Sequence, residues 1–229
     1  MMLIGDYKKL LQSIIDKKYS FVKFGDIDNN KDSQIILRHD IDLDIDLALD
    51  MAIIENTLDI KSTYFFLLTN DSYNLISERN SSLLMKIKQL GHSISLHFDM
   101  EIYKDPKKGL EIELDIFKKN FQERVDIVSI HRPSQDFLKN PNGYFNVNNS
   151  YEDIFTKNAK YFADSGGNFK YGSPVNSKAF RKNENLQLLI HPIWWINSEN
   201  TIKETVNKTI DNKRNKLEEH FKKNIKTYS

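Results

Sequence analysis

The chain has 229 residues, with 33 Lys and Arg against 32 Asp and Glu, and it contains no cysteine. The near balance of charge argues against nucleic-acid binding through bulk charge. The absence of cysteine excludes disulfides, thiolate metal ligands and cysteine nucleophiles. A hydrophobic fraction of 39% is enough for a substantial core, and the length suits one domain over residues 1–229.

No apolar run approaches the length of a membrane span. The apolar start over residues 1–5 is too short for a signal peptide, and Asp6, Lys8 and Lys9 follow it directly. We therefore expect a cytoplasmic protein without a membrane-spanning segment.

Helical and strand patterns alternate along the chain. Helical spacing of apolar residues predicts helices over 6–19, 46–58, 79–90, 107–123 and 199–226. Short apolar and β-branched runs predict strands over 35–37, 62–68, 93–97, 126–131 and 186–190. This alternation predicts βα units around a largely parallel sheet. The segment 133–184, rich in Asn, Gly and Ser, is expected to form loops and short elements over one end of that sheet. The polar helix 199–226 is expected to pack on the domain.

Four of the six histidines follow predicted strands or end them: His39, His97, His131 and His191. The carboxyl ends of parallel strands face the ligand site in α/β folds, so residues distant in sequence converge there. Side-chain alternation puts the last three on the face opposite the large apolar residues of their strands. On the first strand, the same alternation places Asp40, rather than His39, on that inner face.

A carboxylate with two or three imidazoles is a ligand set suited to Zn²⁺ and related divalent ions. Asp40, His97 and His131 are therefore the predicted ligands. Such an ion lowers the pKa of water towards ~7. A second carboxylate, Asp42, would then serve as base and His191 as acid in the hydrolysis of an ester or amide.

Two features have a structural interpretation as well as a functional one. Asp42, Asp44 and Asp46 fit the first turn of a helix, where a carboxylate is favoured by ~0.3–1 kcal/mol. Asp42 fits this less well because it lies so close to the strand end. Trp194 and Trp195 fit either the core or an aromatic wall that stacks on a sugar.

Five motifs occur along the chain in a characteristic order. They are RHDID (38–42), GHSISLHFD (91–99), SIHRP (129–133), YFADSGG (161–167) and LLIHP (188–192). This order resembles the polysaccharide deacetylase superfamily, also called NodB-homology or carbohydrate esterase family 4, over about residues 33–196. The resemblance implies an α/β fold of the irregular seven-stranded (β/α) barrel type. It also implies a divalent metal and the removal of acetyl groups from sugars.

The first two motifs carry the family's metal site. Paired aspartates supply the base and then a ligand, so either Asp40 is the ligand with the base position on His39, or Asp40 is the base and Asp42 the ligand. Of the family's two histidine ligands, the first matches His97 and the second falls on Glu101. Either Glu101 completes the set or His131 does, and side-chain alternation favours His131.

The remaining motifs match further site residues of the family. Arg132 matches the arginine that orients the base. Asp164 matches an acidic residue of the fourth motif and is expected to contact the substrate. Leu189 matches the leucine that lines the acetyl pocket, and His191 matches the general acid.

The resemblance implies a metal-dependent, deacetylase-like hydrolase, with zinc as the preferred ion. Its substrate would be an acetylated sugar or a sugar-nucleotide precursor of a surface polysaccharide. A non-catalytic member of the fold that binds a glycan or a partner enzyme is the alternative. A metal-dependent phosphoesterase is less favoured, because only Arg38, Arg132 and Arg181 are candidates for holding phosphate.

Overall fold

A computed structural model describes residues 4–228 of the chain. Within these residues, eight strands form one sheet in the order β6-β5-β4-β3-β2-β8-β7, with β1 paired to β2 beside this path. The strands are β1 (Ser20–Val22), β2 (Gln34–Ile41), β3 (Thr63–Leu67), β4 (Ser93–Phe98), β5 (Ile127–Ile130), β6 (Asn148–Asn149), β7 (Lys160–Ala163) and β8 (Leu186–Ile190). Every pair is parallel.

Nine α-helices lie between and after the strands in the described part of the chain. They are α1 (Ile4–Asp16), α2 (Ile45–Thr57), α3 (Glu78–Gln89), α4 (Pro106–Phe121), α5 (Gln135–Lys139), α6 (Asp153–Thr156), α7 (Lys178–Arg181), α8 (Ile193–Ile196) and α9 (Ile202–Asn224). None of the helices in this range is long and apolar enough to cross a membrane.

The central strand β2 explains where the site lies. All eight of its residues are buried, although Gln34, Arg38, His39 and Asp40 interrupt the apolar run. Helix α2 begins directly afterwards, because the side chain of Asp44 accepts a hydrogen bond from the backbone N–H of Asp46 at 2.9 Å. The turn 42–44 is therefore fixed between a buried strand and a capped helix.

The two faces of the sheet differ as side-chain alternation predicts. Leu96 and Ile130 pack in the apolar cluster on the helix-covered face, and Leu188 packs in a second such cluster. On the inner face, Phe65 packs with Phe24, Ile36 and Phe155. Polar groups occupy the carboxyl end of the inner face.

The predicted α/β class and parallel βα arrangement are confirmed. Seven strands form the continuous path of a curled barrel, and no pairing joins its end strands β6 and β7 in residues 4–228. Strands β1, β6 and β7 were not expected from the sequence, because they have only 3, 2 and 4 residues. The last two lie within the segment predicted as loops.

The C-terminal helix α9 packs against the mouth of the barrel. Thr205 and Thr209 are its buried residues. Lys213 donates to the carbonyl of Ser72 at 2.8 Å, and Lys216 lies 2.6 Å from Asp46. The helix thereby joins the turn after β3 to the start of α2.

Candidate active site

A cleft of about 860 Å³ opens at the carboxyl ends of the strands. The strand ends supply its polar residues, and the loops after β3, β5 and β8 supply much of its wall. Among the lining residues are Asp40, Asp42, His97, His131, Arg132, Leu189, His191 and Trp194. The convergence of strand ends predicted from the sequence is therefore present.

Asp42, His97 and His131 form the cluster at the centre of the cleft. Oδ1 of Asp42 lies 3.2 Å from Nε2 of His97 and 3.6 Å from Nδ1 of His131. The two imidazole nitrogens are 3.1 Å apart. All three ligand atoms lie within 4.8 Å of one another. Asp42 Oδ1 is buried and has no partner with hydrogen-bond geometry in the described residues.

The orientation of His97 suits a metal ligand. Its Nδ1 lies 3.3 Å from the backbone carbonyl of Ser129, which makes Nδ1 the protonated nitrogen and leaves the lone pair of Nε2 towards Asp42. Burial raises the pKa of Asp42, but the imidazoles of His131 and His97 outweigh it and hold that pKa well below its usual value. Burial lowers the pKa of His97, but the carboxylates of Asp40 and Asp42 outweigh it and raise that pKa.

This donor set fits a divalent cation. The cluster combines a dehydrated carboxylate oxygen without a hydrogen bond and two imidazole nitrogens, which are ordinary ligands of zinc and related ions. Of the open alternatives for the first ligand, the geometry brings Asp42 to both imidazoles.

Asp40 lies beside this cluster and is held by other groups. Its Oδ2 is 3.8 Å from Nε2 of His97, accepts a hydrogen bond from Ser129 Oγ at 3.0 Å, and is 3.4 Å from Nη2 of Arg38. Its Oδ1 is buried and makes no hydrogen bond within residues 4–228. Asp40, which was predicted as a ligand, thus lies beside the cluster of Asp42, His97 and His131 and not within it.

His191 approaches the cluster from β8. Its Nε2 is 3.7 Å from Asp42 Oδ2, and its Nδ1 is 2.6 Å from Asp164 Oδ1. Burial lowers the pKa of His191, but the Asp164 carboxylate raises it more, to about 9. The Asp164 carboxylate therefore favours the charged form of the imidazole, which can donate a proton from Nε2.

Two predicted substrate contacts lie elsewhere in the structure. Asp164 is fully buried behind His191 and also accepts a hydrogen bond from Nε1 of Trp195 at 2.8 Å. Trp195 is buried, and its ring lies 5.4 Å from that of Tyr7. Asp164 therefore contacts His191, and Trp195 packs in the core. Neither residue lines the cleft. Trp194 and Leu189 do line the cleft.

The predicted arginine is also displaced. Arg132 is exposed at the mouth, and its backbone has a φ of 45°. It forms no ion pair with a carboxylate of the described residues, whereas Arg38 contacts Asp40 from the same strand. Glu101, the alternative ligand, is exposed and does not belong to the cluster of Asp42, His97 and His131.

Arg38 and Ser129 lie at the site although neither was predicted to contact Asp40. Alternation carries the signal for both, since Arg38 lies two residues before Asp40 and Ser129 two residues before His131. His39 has a partner of its own on the opposite face of the sheet, which was also not predicted. Nε2 of His39 lies 2.6 Å from the buried carboxylate of Glu55.

Comparison with known proteins gives structural matches only. No family model matches the chain, and no curated protein matches it. A Streptococcus pyogenes deacetylase solved in complex with acetate is 17% identical, with 91% of this chain and 87% of that chain covered and a TM-score of 0.48. A family 4 carbohydrate esterase from Bacillus anthracis is 20% identical, with 92% and 86% covered and a TM-score of 0.42.

A third similar structure is a family 4 pseudoenzyme from Bacillus anthracis. It is 10% identical, with 80% of this chain and 60% of that chain covered and a TM-score of 0.44. All three are named as deacetylases or members of carbohydrate esterase family 4, the family that the five motifs resemble. At these identities and TM-scores the function has to be argued from the site itself.

Proposed function

We propose that this protein is a metal-dependent deacetylase that hydrolyses the acetyl ester or amide of a sugar. The observation that carries the proposal is the convergence of five side chains in one cleft. They are the Asp42, His97 and His131 cluster, the adjacent carboxylate of Asp40, and the imidazole of His191.

Some of these residues would bind the metal ion, and the others transfer protons. Asp42, His97 and His131 would hold the divalent ion, with zinc as the preferred metal. When bound, such an ion supplies a Lewis acid and lowers the pKa of water. Asp40, held through Oδ2 by Ser129 and Arg38, accepts the proton of the attacking water.

His191 completes the reaction at the leaving group. Water oxygen bonds to the acyl carbon, and the C–N or C–O bond breaks as the carbonyl re-forms. The proton on Nε2 of His191 passes to the departing nitrogen or oxygen, so the products are acetate and a free amine or hydroxyl. Asp164 stabilises the charged form of His191 before the transfer.

The cleft also argues against phosphate chemistry. Of the described lining residues, Arg132 is the one arginine and there is no lysine, while Asp44, Asp71 and Asp99 add negative charge. Leu189 and Trp194 instead offer apolar surface to an acyl group and a sugar ring.

The test combines metal analysis with acetate release. Protein stripped with a chelator is reloaded with zinc and assayed on N-acetylated and O-acetylated oligosaccharides. We expect bound metal and acetate release by the wild type, both lost in His97→Ala and both retained in His220→Ala, whose side chain is exposed on α9. Absence of bound metal, full activity in His97→Ala, or sugar binding without turnover would contradict the proposal.

A further inference from the structure

The buried guanidinium of Arg38 needs a functional explanation. Arg38 is fully buried on β2, and its Nη2 lies 3.4 Å from Asp40 Oδ2 and donates to the hydroxyl of Tyr151 at 3.2 Å. Its Nη1 donates to Ser150 Oγ. A buried charge pair contributes to stability only when the remaining polar atoms are also satisfied. Here Nε of Arg38 and Oδ1 of Asp40 have no hydrogen-bond partner in the described chain.

Aromatic rings fix the position of this guanidinium. Its Cζ lies 5.0 Å from the ring centroid of Tyr151, 5.8 Å from that of Tyr161 and 6.0 Å from that of Phe65. The planar cation is attracted to such faces and loses little further freedom when it forms directed hydrogen bonds. Three aromatic rings therefore surround the guanidinium of Arg38, and its Nη2 contacts Asp40.

The contacts with Asp40 are confined to one oxygen. Arg38 and Ser129 both approach Oδ2, which fixes the plane of the carboxylate. Oδ1 is left as the oxygen able to take a proton. This arrangement leaves two polar atoms without partners and so is not optimised for stability. It is well suited to presenting one carboxylate oxygen in a constant orientation.

We propose that Arg38 is the positioning residue for Asp40 in the hydrolysis. The sequence resemblance gave this role to Arg132, which is exposed at the mouth and contacts no described carboxylate. Arg38 lies two residues before Asp40 on the same strand and orients its carboxylate from inside the barrel. This inference rests on the proposed function, because it needs Asp40 to act as the base.

The experiment compares arginine variants in the zinc-loaded full chain. Arg38→Lys keeps the charge but loses the planar fork, so kcat should fall by about 10–100-fold with KM changed less than about 3-fold. Arg38→Ala should lose more, and added methylguanidine should restore part of its kcat. The zinc affinity of both variants should equal that of the wild type, because the ligands are untouched.

Two other arginines provide the comparison. The fold-decrease in kcat should be at least about tenfold smaller for Arg132→Ala than for Arg38→Ala. The exposed Arg181, on α7, serves as a control whose replacement leaves activity unchanged. A cooperative thermal unfolding transition shows that a variant is folded. If Arg38→Ala is not folded, the test relies on Arg38→Lys.

The outcomes separate this inference from the function on which it rests. A folded Arg38→Lys with wild-type kcat, or an Arg132→Ala variant as impaired as Arg38→Ala, overturns the positioning role alone. A parallel loss of zinc affinity in Arg38→Lys would also overturn it, because the effect would then be structural. Absence of turnover in the wild type overturns the proposed function and the positioning role together.

Discussion

Two clusters, each with two histidines and one carboxylate, lie on opposite faces of the same sheet. In the cleft, Asp42 meets His97 and His131. Under the helices, the carboxylate of Glu55 meets His39 and His92 at 2.6 and 3.5 Å. Both clusters combine one carboxylate with two imidazoles, but they differ in the partners available to their carboxylates.

The cluster under the helices is closed. Glu55 accepts hydrogen bonds from Tyr7, from Tyr64 at 3.0 Å and from Ser62 at 2.6 Å. His92 is neutral, because its Nδ1 accepts from the backbone N–H of Ser62, and burial lowers its pKa. Burial raises the pKa of Glu55, but the imidazole of His39 outweighs it and keeps that pKa below its usual value.

The cluster in the cleft is open. Oδ1 of Asp42 is buried, has no hydrogen bond in the described structure, and faces two imidazole nitrogens. The neighbouring imidazoles offset the burial of this carboxylate, and a bound cation would complete the contacts that its Oδ1 lacks. The difference between the two clusters therefore lies in their hydrogen bonding: one stabilises the fold, and the other has the properties of a binding site.

The largest effect is expected from a change in the open cluster. Asp42→Asn removes the charge but keeps the shape, so zinc affinity should collapse and acetate release should fall by at least roughly 1000-fold. The lowered pKa of Asp42 means that its charge also stabilises the metal-free fold, so the free energy of unfolding without metal should decrease at neutral pH. Asp71→Asn makes the same change at an exposed aspartate that lines the cleft outside the cluster, and it should leave zinc affinity at the wild-type value. Retention of wild-type zinc affinity would contradict the assignment of Asp42 as a ligand.

The matching change in the closed cluster should act on stability. Glu55→Gln leaves His39 without its buried partner, which should lower the free energy of unfolding by about 3–5 kcal/mol. Urea denaturation measures this, and zinc binding by the folded fraction should persist. Glu219→Gln, exposed on α9, is the control and should change stability by less than about 0.5 kcal/mol. A loss below about 1 kcal/mol for Glu55→Gln would show that the network is not needed for folding.

The difference between the clusters was only partly predictable from the sequence. Side-chain alternation along β2 separates His39 from Asp40, and this assignment agrees with the structure. It could not choose between Asp40 and Asp42, because the chain turns after Ile41 and alternation no longer applies there.

The rest depends on contacts between distant parts of the chain. Glu55 belongs to a helical pattern, and nothing local indicates that it lies under β2 beside His39. Strand β7 has only 4 residues, which is too short for an alternating apolar pattern to stand out. Asp164, which follows it, was expected at the substrate from its match to the fourth motif, and in the structure it contacts His191.

A buried carboxyl on α4 extends the comparison to pH. Oε1 of Glu113 accepts from Tyr103 at 2.7 Å and from Thr69 at 3.3 Å, while Oε2 has no hydrogen bond in the described chain. Burial raises the pKa of Glu113 from 4.5 to about 7, despite the opposing hydrogen bonds from Tyr103 and Thr69. The folded state thus binds more protons than the unfolded state between these two values.

This raised pKa gives a prediction with a definite sign. Stability from Glu113 is complete below its unfolded pKa and is lost as pH rises through its folded value, by up to about 3 kcal/mol. Glu113→Gln should therefore be more stable than the wild type at about pH 8 and nearly equal to it at about pH 4. Urea denaturation at both pH values measures the difference. Glu111→Gln, exposed on the same helix, should show no such trend, and an equal difference at both pH values would contradict the prediction.

The smallest effect concerns the apolar wall of the open cluster. Trp194 lines the cleft, and a Cβ on Gly167, where φ is 85°, would lie 3.4 Å from its ring, so a glycine permits this close packing. Trp194→Ala should raise KM for an acetylated oligosaccharide by about 5–10-fold with kcat nearly unchanged, because stacking contributes to binding and not to the proton transfers. Tyr171→Ala, whose side chain is 84% exposed, is the control. An unchanged KM, or a fall in kcat alone, would show that the wall does not hold the sugar and that Trp194 instead acts on the neighbouring His191.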